Sequence, residues 1–396
     1  MKVVVALEAR FDRTPDGAIW ILVGFAYPFW KRYLDVFDEV CAVARVRDVP
    51  HVPSDWQRAD GEGVSFFPMP YYIGPWQYLL KAWAVQQAAQ SSVGLMDAVI
   101  LRVPGTIACC IQPMLVQTGH PYAVEVVGDP YDVFAPGSIK SPLRPFFRWY
   151  SPRQLRYQCR EALGAAYVTQ DALQKRYPCP NFSIGVSDVE LGEETFVSQP
   201  RYYQEKMAPL TLIFVGTMAE LYKAPDVLIN AVAVCVREGL NLEVVLVGDG
   251  QYRRELEALV QKLGLDKRVR FLGQLPSGDA VRSRLDQADF FILPSHQEGL
   301  PRAMIEAMAR ALPCIGSTVG GIPELLPLED MVPPGNVTAL ATKIRQVITD
   351  PDRMARMSAR NLQTATKYRD EILQKQRIEF YRYVREITKA WLEKKR

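Results

Sequence analysis

The sequence predicts an α/β protein built from two doubly wound domains, each with a parallel sheet covered by helices. Its 396 residues exceed the usual size of one domain. A hydrophobic content of 48% with 23% charged residues is ordinary for globular proteins. Short β-rich runs alternate with longer helical stretches almost from end to end, which favours parallel sheets joined by crossover helices.

The elements follow this alternation in both halves of the chain. In the first half we predict strands at 2–6, 39–46, 98–103, 122–127 and 165–169, and helices at 75–90 and 144–162. In the second half we predict strands at 210–215, 243–247, 269–272, 290–293 and 313–316, and helices at 226–238, 253–263 and 301–311.

The polar stretch between the halves contains Pro200 and Pro209 and few aliphatic residues. We therefore predict an N-terminal domain over 1–200, a linker over 201–209 and a C-terminal domain over 210–366. Residues 367–396 carry apolar side chains at helical spacing, and we expect them to form a terminal helix that packs back on the N-terminal domain. In doubly wound sheets, ligands bind beyond the carboxyl ends of the strands, so function is expected in those loops.

Charge and cysteine content exclude several classes of protein. A formal net charge of +3 gives no overall attraction to nucleic acid. The seven cysteines lack the spacing of a zinc site and predict reduced thiols in a cytoplasmic protein. The sequence shows neither the pattern of a signal peptide nor an apolar stretch of the roughly 18 residues that a membrane-spanning helix needs.

The segment 294–306, which follows an apolar strand, is the most informative one. It places Glu298 in a loop and Glu306 in the helix that begins near Pro301, with Gly299 between them. The free N–H groups of a first helical turn bind anions, so a phosphate is expected there between two carboxylates that accept sugar hydroxyls. The spacing of Arg302, Glu306 and Arg310 also fits a simple salt-bridged helix face.

Three more loops after strands support a ligand site. Gly216 and Thr217 precede Lys223, and glycine turns lie at 248–250 and 320–321. A dinucleotide fingerprint would require another glycine at position 253, where the sequence has Arg253. A dehydrogenase is therefore the weaker interpretation of these glycines.

These motifs, in this order from residue 210 to about 349, resemble the retaining GT-B glycosyltransferases of family 4, also called glycosyl transferases group 1. The resemblance implies two Rossmann-like domains facing a cleft and a nucleoside-diphosphate sugar as donor. It implies that Lys223 neutralises the diphosphate, Glu306 binds the ribose hydroxyls and Glu298 holds the transferred sugar. The backbone at Gly299 and Leu300 would contact phosphate or sugar, and no divalent metal or other cofactor would be required.

Several positions depart from the family pattern. Thr217 follows Gly216 where the family often has arginine, and Ala224 and Ala311 stand where glycine is common. By the resemblance, Gly17 would let the diphosphate approach the first domain. Asp129 stands where many relatives have a catalytic histidine, but an aspartate before a proline is equally typical of a helix N-cap or turn.

The resemblance implies transfer of a hexose-type sugar from a UDP- or GDP-sugar to a glycan, lipid-linked or small-molecule acceptor in cell-surface polysaccharide or glycolipid synthesis. The alternative is a catalytically inactive GT-B protein that binds nucleotide sugars or glycans. Residues 143–160 hold five arginines among aromatics and no acid. This pattern fits peripheral contact with the cytoplasmic face of an anionic membrane, a solvated basic helix face or an anionic acceptor site. Nucleic acid is not an expected partner.

Overall fold

The computed structural model describes residues 1–135, 142–204, 209–276 and 278–395. Part of the predicted linker, 205–208, lies outside the described residues. The strands are Lys2–Arg13 (β1), Ile19–Ile21 (β2), Glu39–Asp48 (β3), Gln57–Arg58 (β4), Val64–Met69 (β5), Ala98–Val103 (β6), Ala123–Val126 (β7), Gly164–Tyr167 (β8), Phe182–Gly185 (β9), Leu210–Val215 (β10), Leu242–Val247 (β11), Val269–Gly273 (β12), Phe290–Leu293 (β13), Cys314–Ser317 (β14) and Met331–Val332 (β15).

Helices separate most of these strands. They are Tyr27–Leu34 (α1), Gly74–Ser91 (α2), Thr106–Thr118 (α3), Pro130–Val133 (α4), Arg144–Glu161 (α5), Ala172–Arg176 (α6), Pro225–Arg237 (α7), Arg253–Lys262 (α8), Asp279–Gln287 (α9), Arg302–Ala309 (α10), Ile322–Leu325 (α11), Val337–Ile348 (α12), Pro351–Ala365 (α13) and Asp370–Lys395 (α14). No helix in the described part of the chain is both long and apolar enough to cross a membrane.

The described residues divide into two compact units. The first comprises residues 1–128, 151–186 and 374–395, and the second comprises the described parts of 129–150 and 187–373. The domain boundaries predicted from the sequence remain predictions.

The first unit contains a parallel sheet in the order β5, β3, β1, β6, β7, β8, β9. The short strands β2 and β4 extend it by antiparallel pairing at the end of β1. Strand β1 runs to Arg13, well beyond the predicted end at residue 6, because its second part continues to pair with β3 after an irregularity. The central strands are buried along their whole length, as continuous apolar runs require.

The second unit has a wholly parallel six-stranded sheet in the order β12, β11, β10, β13, β14, β15. This order reverses direction between β10 and β13, which is the point where doubly wound sheets open a crevice for ligands. The sequence-based α/β class is confirmed.

The two alanines that replace common glycines both adopt left-handed backbone. Ala224 has φ 54° and Ala311 has φ 57°, and they are the non-glycine residues with positive φ in the described chain. Ala311 follows α10, where the N–H of Leu312 donates to the carbonyl of Ala307 at 3.0 Å. This is the bond of a Schellman cap, at whose left-handed position glycine is usual. The helix ends of the family pattern are therefore kept, with an alanine in each strained position.

Glu125, a buried acid on β7, stands at the centre of a polar cluster in the first unit. Its carboxylate accepts hydrogen bonds from the hydroxyls of Tyr33, at 3.0 Å, and Tyr381, at 3.1 Å, and it pairs with the buried guanidinium of Arg102. Because Tyr381 belongs to α14, this one carboxylate joins the terminal helix to the sheet. Burial raises the pKa of the Tyr381 hydroxyl, so it remains a donor.

Replacing Glu125 with alanine should therefore destabilise the first unit strongly. Glu125→Ala removes the carboxylate that pairs with the buried guanidinium of Arg102, and we expect a loss of about 3–5 kcal/mol in the free energy of unfolding. Chemical denaturation measures it. Asp48→Ala is the control, because the Asp48 carboxylate pairs with Arg13 at an exposed position and should cost at most about 1 kcal/mol. Equal losses in both variants would contradict the role assigned to Glu125.

Candidate active site

The loops that follow β10 and β11 touch each other through their backbones at the carboxyl edge of the second sheet. The N–H of Gly216 donates to the carbonyl of Val247 at 2.9 Å, and that of Met218 donates to the carbonyl of Asp249 at 2.9 Å. A Cβ on Gly248, whose φ is 132°, would lie 1.9 Å from the carbonyl oxygen of Gly216. Only glycine fits there, so the motif at 247–250 is a contact between loops.

Lys223 enters this edge from the loop after β10. It ends a 3₁₀ turn at Leu221–Lys223, and the left-handed Ala224 then starts α7. The Lys223 Nζ donates to both oxygens of Glu298, at 2.7 and 2.8 Å. Their side chains are 16% and 5% exposed, respectively, so the pair is largely withdrawn from water. The structure thus brings together the two residues predicted to bind the diphosphate and the sugar.

Glu298 is held from behind by two serines that the sequence analysis missed. The Ser295 hydroxyl donates to Glu298 Oε1 at 2.7 Å, and the Ser317 hydroxyl donates to the Ser295 carbonyl. Both serines are fully buried. Their position at the carboxyl ends of the apolar strands β13 and β14 is the sequence feature that could have indicated them. The hydrogen bond from Ser295, which is itself held by Ser317, fixes the orientation of the Glu298 carboxylate although Glu298 lies in a loop.

The glycine turn at 320–321 packs on the same loop. A Cβ on Gly320 would lie 2.0 Å from the Glu298 carbonyl oxygen, and the N–H of Gly321 donates to the carbonyl of Gly299 at 2.6 Å. The turn therefore fixes the backbone at Gly299, beside the buried Leu300, where we predicted contact with the ligand.

Helix α10 begins next to this loop, and no side chain caps its first turn. Its first N–H groups and the positive end of its dipole provide an anion site. Arg302, the first residue of the helix, is exposed and makes no ion pair within the described residues. Its guanidinium therefore has no carboxylate within ion-pair distance among these residues.

The interpretation of α10 as a salt-bridged face is wrong. The Arg310 guanidinium pairs with Asp286 on α9 through two hydrogen bonds of 2.7 and 2.8 Å. Glu306, one turn before Arg310, has neither a hydrogen bond nor an ion pair on its carboxylate among the described residues. Burial raises the pKa of the Glu306 carboxyl, an effect that the charges of Arg302 and Arg282 reduce. A half-buried acceptor without a partner is suited to ligand hydroxyls.

The glycine motif tested for a dinucleotide fingerprint has a different local structure. Arg253, where a glycine would be required, donates to Asp249 at 2.9 Å and to Glu257 at 2.8 Å. The arginine therefore forms ion pairs at the position where the fingerprint has a third glycine for close packing of helix on strand. This observation is a further argument against a dehydrogenase.

Gly17 and Asp129, the two site predictions from the first half of the sequence, occupy local turns. Gly17 has φ 86° and forms the turn between β1 and β2, in which its N–H donates to the Thr14 carbonyl at 2.9 Å. Asp129 is the N-cap of α4, where its side chain accepts from the N–H of Tyr131 at 2.9 Å. Asp129 therefore acts as a helix N-cap, which was the alternative interpretation of this residue. A role of Asp129 in the reaction stays a prediction.

The basic and aromatic stretch 143–160 forms α5 and the turn before it. Several of its arginines have protein partners. Arg144 donates to the Phe134 carbonyl at 3.2 Å, Arg148 lies over the Tyr131 ring, and Arg156 donates to the Arg176 carbonyl at 3.0 Å. These contacts show that part of the basic charge is used within the protein. Among the residues that the structure describes, no group of three His, Cys, Asp or Glu side chains could hold a metal ion.

Comparison with known proteins shows what the segment that forms this edge is similar to. The family described as Glycosyl transferases group 1 matches residues 209–350, the segment that contains Lys223, Glu298 and Glu306. The chain is a glycosyltransferase, and its segment 209–350 matches the group 1 family. The resemblance stated from the motifs is thereby confirmed.

Two relatives and one solved structure show further similarity. Protein CapJ of Staphylococcus aureus is 28% identical to this glycosyltransferase over 328 residues, which is 82% of this chain and 81% of CapJ. The putative colanic acid biosynthesis glycosyltransferase WcaL of Escherichia coli (strain K12) is 32% identical over 175 residues, 42% of each chain. Anabaena Alr3699/HepE, solved in complex with UDP and glucose, superposes with a TM-score of 0.63 at 17% identity, over 96% of this chain and 98% of that one. The fold of this glycosyltransferase is GT-B.

The raised pKa of Glu306 predicts a pH-dependent effect on stability. Folding disfavours the charged form of Glu306, so its pKa in the folded protein is higher than the usual 4.5 of the unfolded chain. The free energy of unfolding should therefore fall as the pH rises from 4.5 through that higher pKa. Glu306→Gln removes this cost, so the variant should unfold at a higher temperature than the wild type at neutral pH and lose that advantage in acid. Glu238→Gln, at an exposed pair with Arg345, is the control. An advantage for Glu306→Gln that persists in acid would contradict the assignment.

Proposed function

We propose that this glycosyltransferase moves a hexose-type sugar from a UDP- or GDP-sugar to a hydroxyl of a glycan, lipid-linked or small-molecule acceptor, with retention and without a divalent metal. The observation that carries the proposal is the Lys223–Glu298 ion pair beside the uncapped start of α10. WcaL is named for colanic acid biosynthesis and HepE was solved with UDP and glucose. Those names support a role in polysaccharide or glycoconjugate synthesis and make UDP the first nucleotide to test.

In this proposal the diphosphate lies between Lys223 and the N-terminus of α10. The ammonium, the first-turn N–H groups and the Arg302 guanidinium stabilise the charge that develops as the diphosphate leaves. Glu306 accepts hydrogen bonds from the ribose hydroxyls. Glu298, once Lys223 turns to the phosphate, accepts them from the sugar. Positive charge from the protein would then serve where other enzymes use a metal ion.

Retention is proposed to follow from attack on one face of the sugar. The acceptor oxygen bonds to the anomeric carbon from the side on which the bond to the diphosphate breaks. The departing phosphate oxygen takes the proton of the acceptor hydroxyl, so no general base from the protein is needed. Catalysis then rests on positioning and on stabilising charge.

Nucleotide binding tests the donor site without knowledge of the acceptor. Calorimetric titration with UDP, GDP and ADP in a chelator should show saturable binding of one of them. Lys223→Ala should weaken that binding by about tenfold or more, because a charge-assisted hydrogen bond to the phosphate is lost. Glu238→Ala is the control and should bind as the wild type does. If the chelator abolishes binding, metal independence is refuted, and the absence of binding by any diphosphate would refute the donor site.

Glu298→Gln should separate binding from transfer. Glutamine keeps the shape of the side chain but does not neutralise Lys223, so the ammonium is released for the diphosphate. We expect UDP to bind at least as tightly as to the wild type, while sugar transfer falls by about 100-fold through lost positioning of the sugar. Transfer is measured as UDP release that depends on the acceptor. Unchanged transfer would refute the role of Glu298, and equal losses of binding and transfer would indicate a structural role.

The proposed catalytic role of Asp129 can be separated from its role as N-cap of α4. Serine is also a good N-cap, so Asp129→Ser should leave the free energy of unfolding within about 0.5 kcal/mol of the wild type. If the carboxylate faces the reacting sugar and helps to position it or to stabilise its developing charge, kcat should nevertheless fall by about 100-fold. If kcat of this variant equals that of the wild type, Asp129 has only its structural role as the N-cap of α4.

A further inference from the structure

Helix α2 in the first unit exposes an apolar stripe that the proposed reaction does not use. Trp76, Leu79, Leu80 and Trp83 follow the spacing i, i+3, i+4 and i+7, so they share one face of the helix. They are 79%, 62%, 88% and 74% exposed. Single exposed apolar side chains are normal on protein surfaces, but four large ones side by side on one helix face form a continuous apolar patch.

The opposite face of α2 already packs against the protein, so the exposed stripe is not the face that α2 contributes to the core. Val85 and Ala89 are fully buried on that face. The Gln86 side chain donates to the Cys110 carbonyl on α3 at 3.3 Å, and the Tyr78 hydroxyl lies 3.9 Å from the Cys110 sulfur. The helix is therefore fixed against α3, and its outer stripe is held outward as a rigid surface.

The composition around the stripe fits a lipid surface. From residue 63 to residue 96 the chain contains no acidic residue and one basic residue, the exposed Lys81. Tryptophan is enriched at the membrane–water interface, because its ring is apolar and its N–H can bond to polar groups there. An acid-free segment meets no repulsion from anionic lipid headgroups.

Basic residues on a neighbouring helix add to this fit. Helix α5 packs on α3 from another position, where Gln154 donates to Gln112 at 3.2 Å. It exposes Arg153 and Arg160 within the first unit, where Arg160 pairs with Glu161 at 3.0 Å. The helix layer made of α2, α3 and α5 therefore combines an apolar stripe with positive charge.

The size of the stripe favours a bilayer over a second protein. With a Trp side chain at about 250 Å² or less, the four exposed side chains present on the order of 600 Å². A stable protein interface buries roughly 800 Å² on each partner, whereas a helix lying in a bilayer surface needs only one apolar face.

We infer that α2 inserts its stripe of Trp76, Leu79, Leu80 and Trp83 into the surface of an anionic lipid bilayer and thereby attaches this glycosyltransferase to the membrane. The earlier prediction of membrane contact was based on 143–160, and the structure directs it to α2 as the inserting element. The inference does not depend on the proposed donor or on the mechanism of transfer.

Co-sedimentation with vesicles of phosphatidylcholine and phosphatidylglycerol tests the inference on the full-length protein. The wild type should partition to the vesicles, and the variant Trp76→Ser/Leu80→Ser/Trp83→Ser should partition about tenfold more weakly or worse. The control is Tyr202→Ser/Leu328→Ser, which removes side chains that are 81% and 76% exposed in the second unit and should partition as the wild type does. Retained UDP binding and an unchanged circular dichroism spectrum would show that each variant is folded.

A second measurement locates the contact. Vesicles with brominated acyl chains should quench tryptophan fluorescence of the wild type, and Trp76→Phe/Trp83→Phe should still bind while losing most of that quenching. Wild-type protein that fails to sediment, or equal partitioning by the stripe and control variants, would overturn the inference. Light scattering that shows a dimer abolished by the stripe variant, without vesicle binding, would overturn it in favour of a second copy of the chain. None of these outcomes bears on nucleotide binding.

Discussion

Direct contact between backbones at the carboxyl edge of the second sheet is the constraint on which the active site depends. The carbonyl of Gly216 lies where a Cβ on Gly248 would be, and the carbonyl of Glu298 lies where one on Gly320 would be. A side chain at either glycine would force the two loops apart, because a Cβ would lie about 2 Å from a carbonyl oxygen. Because both contacts are made, the loops after four different strands meet closely enough for Lys223 to reach Glu298.

The charges at this edge are arranged in two opposite ways. Lys223 and Glu298 neutralise each other, which offsets the cost of withdrawing both from water. Glu306 has no such partner and bears the cost of burial as a raised pKa. The first arrangement keeps a diphosphate-binding cation in place before a ligand arrives. The second leaves an acceptor whose best partners are hydroxyls supplied from outside, which is what a nucleotide ribose offers.

The first unit uses its charged and apolar groups differently. Its central acid, Glu125, is saturated by donors from three elements and has a structural role in holding α14. Its large exposed groups lie on α2 instead, where the helix is packed on one face and apolar on the other. The second unit thus carries the polar site, and the first carries a surface that fits lipid.

Most of the second sheet could be predicted from the sequence, because its strands are short, mainly apolar runs separated by amphipathic helices. The first unit was harder to predict. Strand β5 contains Pro68, which is tolerated because β5 pairs only with β3 at the edge of the sheet. Helix α3 contains Pro113 and was not predicted at all. The long second part of β1 depends on pairing with β3, which no local pattern reveals.

The sequence by itself determined the α/β class, the positions of five of the six strands in the second half and the set of residues at its loops, since these depend on periodicity and on local spacing. Only the tertiary structure decided which charges pair. Local spacing also fitted a salt-bridged face of Arg302, Glu306 and Arg310, but Arg310 pairs instead with Asp286 on another helix. Lys223 and Glu298 are 75 residues apart, and only the packing of parallel strands, which brings their carboxyl ends to one edge, makes them neighbours.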